Sequence, residues 1–241
     1  MQTTLPVALS AQLAMEKRLD TIANNLANVG TAGFRSEEVK FESVLSRASA
    51  RTVAFASDGQ QYISTRAGAL TETGNPMDMA VAGEAFFAIQ TPKGTVYTRD
   101  GRMQMSEAGQ LQTVNGEPFL DVGGAPMEVD PNGGPIHIAH DGMLTQAGGQ
   151  LGAVGLFRMP AGANLTRAGT SGVIPDVAAQ PVVEFNDDRV AQGFVEGSNV
   201  NPILEMTRLI EVQRIFEQAA SMIQTSENSL NEAVTQLGAS K

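Results

Sequence analysis

The sequence predicts an α+β protein with a long helix at each end and a central, mainly antiparallel β domain. Each end carries apolar residues at alternating steps of three and four, which is the spacing of a coiled-coil seam. The middle carries short apolar runs separated by turn dipeptides. Glycine follows the same division, since only Gly30, Gly33 and Gly238 of the 25 glycines lie outside residues 51–197.

The N-terminal helix is predicted from one narrow apolar stripe, which Leu9 and Leu13 widen. Charged residues between Glu16 and Asp20 supply a polar face. Gly30 and Gly33 are expected to end the helix. The seam consists of Leu5, Ala8, Gln12, Met15, Leu19, Ile22, Leu26 and Val29.

The C-terminal helix is predicted to begin at Pro202, a residue suited to a first helical turn, with Asn201 as its cap. No glycine or proline interrupts residues 203–237, so one helix is expected to run through them. Its seam consists of Leu209, Val212, Phe216, Ala219, Ile223, Ser226, Leu230, Ala233 and Leu237.

The middle of the chain has the punctuation of an antiparallel β domain, in which Asn-Gly and Asp-Gly pairs form tight turns. These pairs are Asp58-Gly59, Asp100-Gly101, Asn115-Gly116, Asn132-Gly133 and Asp141-Gly142. Strands are predicted at Ala85–Gln90, Thr95–Thr98, Arg102–Met105, Glu117–Asp121, Ile136–Ala139 and Val154–Met159.

Three regions follow from these patterns. Residues 1–33 and 198–241 are predicted to form one helical, coiled-coil domain, residues 34–67 an extended connector, and residues 68–197 the central β domain. One apolar seam against one partner buries too little surface to offset the ordering of a whole helix. We therefore expect the ends to be mobile in the monomer and to fold against neighbouring subunits.

Composition excludes several classes of function. A formal net charge of −10 argues against nucleic acid and anionic membrane surfaces as partners. The absence of cysteine excludes disulfides, thiolate nucleophiles and sulfur-ligated zinc. No apolar run reaches the roughly 18 residues of a transmembrane helix. Residues 1–15 lack the basic start and apolar block of a secretory signal, so the start of the chain is expected to be retained.

No residue pattern in the sequence predicts a catalytic site. His137 and His140 form an H-x-x-H pair, but residues 133–135 favour strand and turn over the helix that a shared metal would need. Asp141 follows His140, yet no serine or cysteine occupies a nucleophile-elbow sequence. We therefore predict a non-enzymatic protein with no catalytic residue, metal or cofactor.

Two polar stretches stand out. Asn24, Asn25 and Asn28 surround the end of the first helix, where their amides can satisfy backbone groups of a neighbouring chain without introducing charge. A plain helix terminus explains the same residues. Residues 193–202, taken alone, indicate only a loop leading into a capped helix.

Together with further short motifs, these stretches resemble the bacterial flagellar rod and hook proteins in order along nearly the whole chain. Met77 and Met79 stand where that family more often has leucine, a change that conserves volume. The matching motifs are Asn24–Val29 with Thr31 and Gly33–Arg35; Thr73–Asp78 with Gly83 and Phe86-Phe87; Thr98–Gly101 with Gly109–Leu111 and Gly116; and Gly197–Val200 with Glu205-Met206, Ile210, Gln213-Arg214 and Phe216.

The resemblance implies terminal helices that pair in an inner coiled-coil tube, with itself and other rod proteins as partners. It also implies export through the flagellar type III apparatus without a cleaved signal, and a place in the basal-body rod that crosses the periplasm and transmits torque. The 241 residues leave no room for the outer domain of hook proteins. Residues 36–67 are short for a distal rod protein, which favours the proximal type.

Two alternatives remain open: a distal rod protein, and a β-domain binding module or enzyme with helical dimerisation ends. The second alternative requires a convergent polar cleft in residues 68–190. Under the rod hypothesis, apolar residues of the interface carry packing and asparagines fix the register between subunits. The predicted interface comprises Leu19, Ile22, Asn24, Asn25, Leu26, Asn28, Gly33, Phe34, Ser198, Asn199, Val200, Leu209, Arg214, Phe216, Ile223 and Leu230.

Overall fold

The computed structural model describes residues 4–40, 43–46, 53–56 and 59–238. It has a long helix near each end and antiparallel strands between them, which confirms the predicted α+β class. The chain forms two compact units. The helices are α1 (Thr4–Ala27) and α2 (Pro202–Gly238). The strands are β1 (Glu37–Lys40), β2 (Ser43–Ser46), β3 (Val53–Ala56), β4 (Gln60–Ile63), β5 (Leu70–Glu72), β6 (Met79–Ala82), β7 (Phe86–Thr91), β8 (Gly94–Thr98), β9 (Met103–Met105), β10 (Leu111–Thr113), β11 (Ile136–Ile138), β12 (Met143–Gln146), β13 (Gly149–Ala153), β14 (Leu156–Arg158), β15 (Leu165–Ala168), β16 (Gly172–Pro175), β17 (Gln180–Pro181), β18 (Arg189–Gln192) and β19 (Phe194–Glu196).

Both helices begin or end where their local sequence requires it. At the start of α2, the Asn201 side-chain oxygen accepts hydrogen bonds from the N–H groups of Ile203 (3.1 Å) and Leu204 (3.2 Å), which confirms the predicted cap. Helix α1 ends at Ala27, ahead of the predicted glycines. Neither helix, over the residues described, has the length and apolarity that a membrane crossing needs.

The helical unit contains α1, α2 and strands from the predicted connector. Helix α1 contacts α2, β1 and β3. Strand β1 pairs with β4, and β2 pairs antiparallel with β3. The predicted connector is therefore paired as well as extended over its described residues, a feature that its serine- and alanine-rich sequence did not reveal. Within one chain each helix also contacts the other, and the expected mobility of the ends stays a prediction.

The β unit contains residues 28–36 and 63–200. Its largest sheet has the order β15-β16-β8-β7-β14-β17, and its second sheet has the order β11-β12-β13. Phe87 and Phe119 meet edge to face in the main core, with ring centroids 6.1 Å apart. Around them the core contains Met79, Val81, Ile89, Val96, Leu111, Leu144, Val154, Leu156 and Val190 among its buried apolar residues.

Five of the six predicted strands coincide with β7, β8, β9, β11 and β14 to within two residues at each end. The sixth, Glu117–Asp121, forms isolated bridges instead of a continuous ladder. Pro118 has no N–H to donate, and the partner strand changes along the segment, from Ile89 opposite Phe119 to Val154 opposite Asp121.

Candidate assembly interface

Helix α2 uses one stripe for packing within the chain. Val212 is almost fully buried, while Leu209, Phe216 and Ile223 are half-buried on the same side of the helix. These residues belong to the predicted seam, and their three-four spacing places them along the line facing the rest of the helical unit. The predicted seam of α2 is therefore the stripe that packs within the unit.

Two further apolar strips on α2 are exposed to solvent among the described residues. At about 100° of rotation per residue, they lie roughly 100° or more to either side of the packed stripe. Met222 is 63% exposed and Ile203 73% exposed. Large apolar side chains aligned in this way are typical of surfaces that make protein contacts. One strip consists of Ile203, Met206 and Ile210, and the other of Leu204, Ile215 and Met222.

Helix α1 buries a different side from the predicted one. Its buried residues are Ala14, Thr21, Ile22 and Asn25. Of these, only Ile22 belongs to the predicted seam, and its neighbours on that seam are half-buried. Small and polar side chains at this side let the strands and α2 approach closely. A pattern of large apolar residues does not reveal such a side. Outside this side, Leu9 and Leu13 are more than half exposed.

Asn25 is the polar anchor of that side. Its side-chain oxygen accepts a hydrogen bond from the Glu37 N–H at 2.9 Å, and its amide nitrogen donates to the Glu37 carbonyl at 2.8 Å. The Lys17 ammonium donates to the Gly59 carbonyl at 2.9 Å. These bonds hold the start of β1 and the approach to β4 against α1. Asn25 thus pairs with a backbone group of its own chain.

The family-like motifs of the β unit meet one another. The Ser36 N–H donates to the Asn199 side-chain oxygen at 2.7 Å, and the Asn199 N–H donates to the Phe34 carbonyl at 3.2 Å. The Gly33 N–H donates to the Glu196 carbonyl at 2.8 Å. Phe34 is buried, with the Arg167 guanidinium 4.3 Å from its ring centroid. Segments far apart in the sequence therefore form one hydrogen-bonded junction.

A charged cluster lies buried at this junction. The Glu196 carboxylate is 2.8 Å from Arg35 and 3.1 Å from Arg99, and all three side chains are 1% exposed. Arg99 also lies over the Phe86 ring, 4.8 Å from its centroid. Burial, together with the neighbouring Arg99 charge, lowers the pKa of Arg35 to about 10 against the opposing effect of Glu196. Glu196 is therefore the shared counter-ion of two desolvated guanidinium groups.

Gly33 shows why this junction needs glycine. Its φ is +66°, and a Cβ at this position would lie 2.2 Å from the Asp100 backbone nitrogen. By contrast, a Cβ on Gly30 would meet no atom within 4 Å. Only the second of the two predicted helix-ending glycines is required by close packing.

A second buried carboxylate stabilises another part of the β unit. Asp188 accepts hydrogen bonds from the Glu84 and Ala85 N–H groups at 2.5 and 2.8 Å, and pairs with Arg158 at 2.5 Å. Burial alone would raise the pKa of Asp188, but the hydrogen bonds and the Arg158 charge lower it on balance. Gly83 leaves the space that this carboxylate occupies.

The β unit has a cleft of about 470 Å³, the type of feature that the binding-module alternative requires. Its charged lining residues are Lys93, Asp100, Glu117 and Arg167. Three of these are held by bonds within the unit: Asp100 by Arg102, Glu117 by Thr113, and Arg167 by the Arg35 carbonyl. In the part of the chain that the structure describes, His, Cys, Asp and Glu form no group of three or more suited to a metal ion.

The predicted interface residues divide between two environments. The asparagines Asn24, Asn28 and Asn199, together with Ser198, are half-buried, and Arg214 is exposed. The side chain of Leu230 lies outside the described residues. Sequence reasoning missed the exposed strips of α2 and the buried Glu196, and it gave Arg99 and Glu205 only as motif residues without a structural role. The predicted residues packed within the chain are Leu19, Ile22, Asn25, Leu26, Gly33, Phe34, Val200, Leu209, Phe216 and Ile223.

A unit of paired helices with exposed apolar strips, and a separate β unit in the same chain, are the features of a structural subunit that assembles with other subunits. Family models match the chain in three places. Residues 5–35 match the flagella basal body rod protein model, residues 80–146 the flagellar hook protein FlgE/F/G D1 domain, and residues 191–237 the flagellar basal body rod FlgEFG protein C-terminal domain.

Full-length relatives agree with these matches. The chain is 51% identical to the flagellar basal-body rod protein FlgF of Mesorhizobium japonicum, covering 99% of both chains, and 44% identical to FlgF of Rhizobium meliloti over 100% of both. It is also 30% identical to the rod protein FlgG of Bacillus subtilis, covering 97% of this chain and 98% of the relative. The chain belongs to the flagellar basal-body rod protein family, as a structural rod subunit of the FlgF type.

Proposed function

We propose that the chain polymerises through its terminal helices as a coiled-coil tube and forms the proximal part of the rod, where it transmits torque. The observation that carries this proposal is the pair of exposed apolar strips on α2. The packed stripe of α2 serves the chain itself, so the strips on either side are available to neighbours. A helix with apolar surface on three sides is suited to the wall of a tube.

The size of this surface is consistent with assembly. Covering the exposed part of one large aliphatic side chain contributes roughly 1 kcal/mol. The strip residues of α2, with Leu9 and Leu13 of α1, therefore offer several kcal/mol for each subunit added. Residues of the predicted interface that pack within the chain support this surface by fixing the helices that carry it. Arg214, which is exposed, is available for direct contact.

Membership of the family supports the proposal on catalysis, partners, export and location. The subunit acts without catalysis and has itself and other rod proteins as partners. It reaches the rod through the flagellar type III export apparatus, without a cleaved signal, and occupies the rod where it crosses the periplasm. Similarity to FlgF proteins over the whole chain supports this location.

The test is Ile210→Asp, which places a charge on one exposed strip, compared with Gln218→Asp on the polar side of the same helix. Both residues are exposed, so neither change disturbs packing within the chain. Each variant is expressed in a strain lacking the native copy, and the subunit is quantified in purified basal bodies. Ile210→Asp is expected to abolish incorporation and motility, whereas Gln218→Asp retains both.

Two half-buried residues, Leu26 and Phe216, give a second test. Leu26→Asp or Phe216→Asp is expected to abolish incorporation while the β unit keeps its fold. Normal motility in these variants, or wild-type incorporation of Ile210→Asp, would show that the helices do not carry assembly.

A further inference from the structure

A small polar pocket lies between α1, β1 and α2 in the helical unit, with a volume of about 100 Å³. Arg18, Glu38, Glu205 and Arg208 are among the residues that line it. Glu38 and Arg208 are only half-buried, so the pocket reaches the surface. Its volume is enough for one guanidinium group or a few water molecules.

The pocket contains an acceptor without a donor. Glu205 is 5% exposed, and its Oε1 accepts a hydrogen bond from Arg208 at 2.7 Å. Its other oxygen, Oε2, is buried and has no hydrogen-bond partner among the described residues. A buried carboxylate oxygen without a donor is costly, because it has lost its hydration and gained no bond in exchange.

Most other polar groups of the pocket are already engaged, whereas Arg18, which also lines it, makes no hydrogen bond or ion pair among the described residues. Asn25 bonds to the Glu37 backbone, and the Thr21 hydroxyl donates to the Lys17 carbonyl. Arg208 is held by Glu205 itself. Arg18 does not bond to this oxygen in the single chain, so the donor is best supplied from outside the chain, by a group that carries positive charge.

The same helix presents such a group. Arg214 is exposed and makes no hydrogen bond or ion pair within the described part of the chain. It follows Glu205 by nine residues, which is about 14 Å along the helix axis and a rotation of about half a turn. The acceptor and the cation therefore lie on opposite sides of α2 and cannot pair within one chain.

We propose that the Glu205 pocket of one subunit receives the Arg214 guanidinium of a second copy. Placement on opposite sides of one helix makes the contact head-to-tail, so each copy can offer its arginine to the next and its pocket to the previous one. Leu204 and Met206, which flank Glu205, are exposed and belong to the two apolar strips. Glu205 thus lies between the two strips assigned to assembly, about 100° around the helix from each, and this inference rests on that proposed function.

A double-mutant cycle tests the pairing. The self-association of the purified full-length chain is measured by sedimentation velocity over a concentration series for wild type, Glu205→Gln, Arg214→Gln and the double variant. Each single change is expected to weaken association about tenfold, and the double variant no further than either single one. Arg214 is exposed, so its variant leaves the folded chain intact, and thermal unfolding of dilute monomer checks this for both positions.

Arg18→Gln is the matched control, because Arg18 lines the same pocket and also has no hydrogen bond or ion pair among the described residues. Additive effects of the 205 and 214 changes would overturn the pairing, as would coupling of Glu205 to Arg18. A chain that stays monomeric at its highest soluble concentration would overturn it too. Loss of incorporation by Ile210→Asp, measured in cells, stays a separate readout, so the pairing can fail while the assembly function stands.

Discussion

Replacing Glu196 with glutamine removes the negative charge that pairs with both buried arginines of the β unit. Arg35 and Arg99 lie 2.8 and 3.1 Å from its carboxylate, and each is 1% exposed. The Gly68 N–H also donates to Glu196 at 2.8 Å. Removing one partner of a buried ion pair costs about 3–5 kcal/mol, because the remaining charges stay desolvated. For a domain of this size, that loss lowers the unfolding temperature by roughly 6–20 °C.

Differential scanning calorimetry is the suitable assay, since the chain has no tryptophan and only two tyrosines. Glu107→Gln is the matched control: Glu107 is an exposed residue of the same unit, and its variant changes the net charge equally. The control is expected to shift the unfolding temperature by less than about 2 °C. An equally small shift for Glu196→Gln would refute the view that the two guanidinium groups depend on this carboxylate.

Three further predictions concern single groups. Gly33→Ala is expected to destabilise the β unit severely, since its Cβ would lie 2.2 Å from the Asp100 backbone nitrogen. Gly30→Ala, whose Cβ meets no atom within 4 Å, should keep the wild-type unfolding temperature. Equal unfolding temperatures for the two variants would contradict this. The pKa of Asp188 is lowered from 3.8 in the folded state, so its stabilisation is present at neutral pH and is lost as the pH falls below that value. Asp188→Asn should therefore be less stable than wild type at neutral pH, and its stability should fall less steeply with acid. An acid dependence of stability equal to that of wild type would contradict the assignment. Asn25→Ala leaves two Glu37 backbone groups unpaired, so the free energy of unfolding should fall by about 1–3 kcal/mol and hydrogen exchange at the Glu37 amide should become faster. Unchanged exchange would show that water replaces the side chain.

The sequence was most informative where one signal dominated. The cap at Asn201 and the uninterrupted run after it predicted α2 closely. Tight turns with alternating apolar residues likewise located β7 and β8. In these segments, local preference and tertiary packing favour the same structure.

The features that the sequence did not predict have physical causes. The buried side of α1 is lined by Ala14, Thr21 and Asn25, so it lacks the large apolar residues on which the prediction relied. The three-stranded sheet was only partly predicted, because β13 (Gly149–Ala153) contains two glycines and little apolar pattern. The pairing of β13 with β12 therefore depends on tertiary packing, which the local sequence pattern does not show.

Long-range polar contacts were beyond the reach of sequence patterns. Glu196 and Arg99 are separated by 97 residues, and no periodicity links them. The motif resemblance identified Gly33–Arg35 and Gly197–Val200 as related to the same family, but gave no reason for their co-occurrence. The structure supplies it, since these segments bond to each other in one junction.

The most direct test of the central claim is the accessibility of the α2 strips before and after assembly. The chain contains no native cysteine, so Ile210→Cys and Met222→Cys each introduce a single reactive thiol, one on each strip. Maleimide labelling is measured on the purified subunit and on intact basal bodies that contain the variant. Both thiols should label rapidly in the free subunit and be protected in the basal body; rapid labelling of both in intact basal bodies would contradict assembly through these strips.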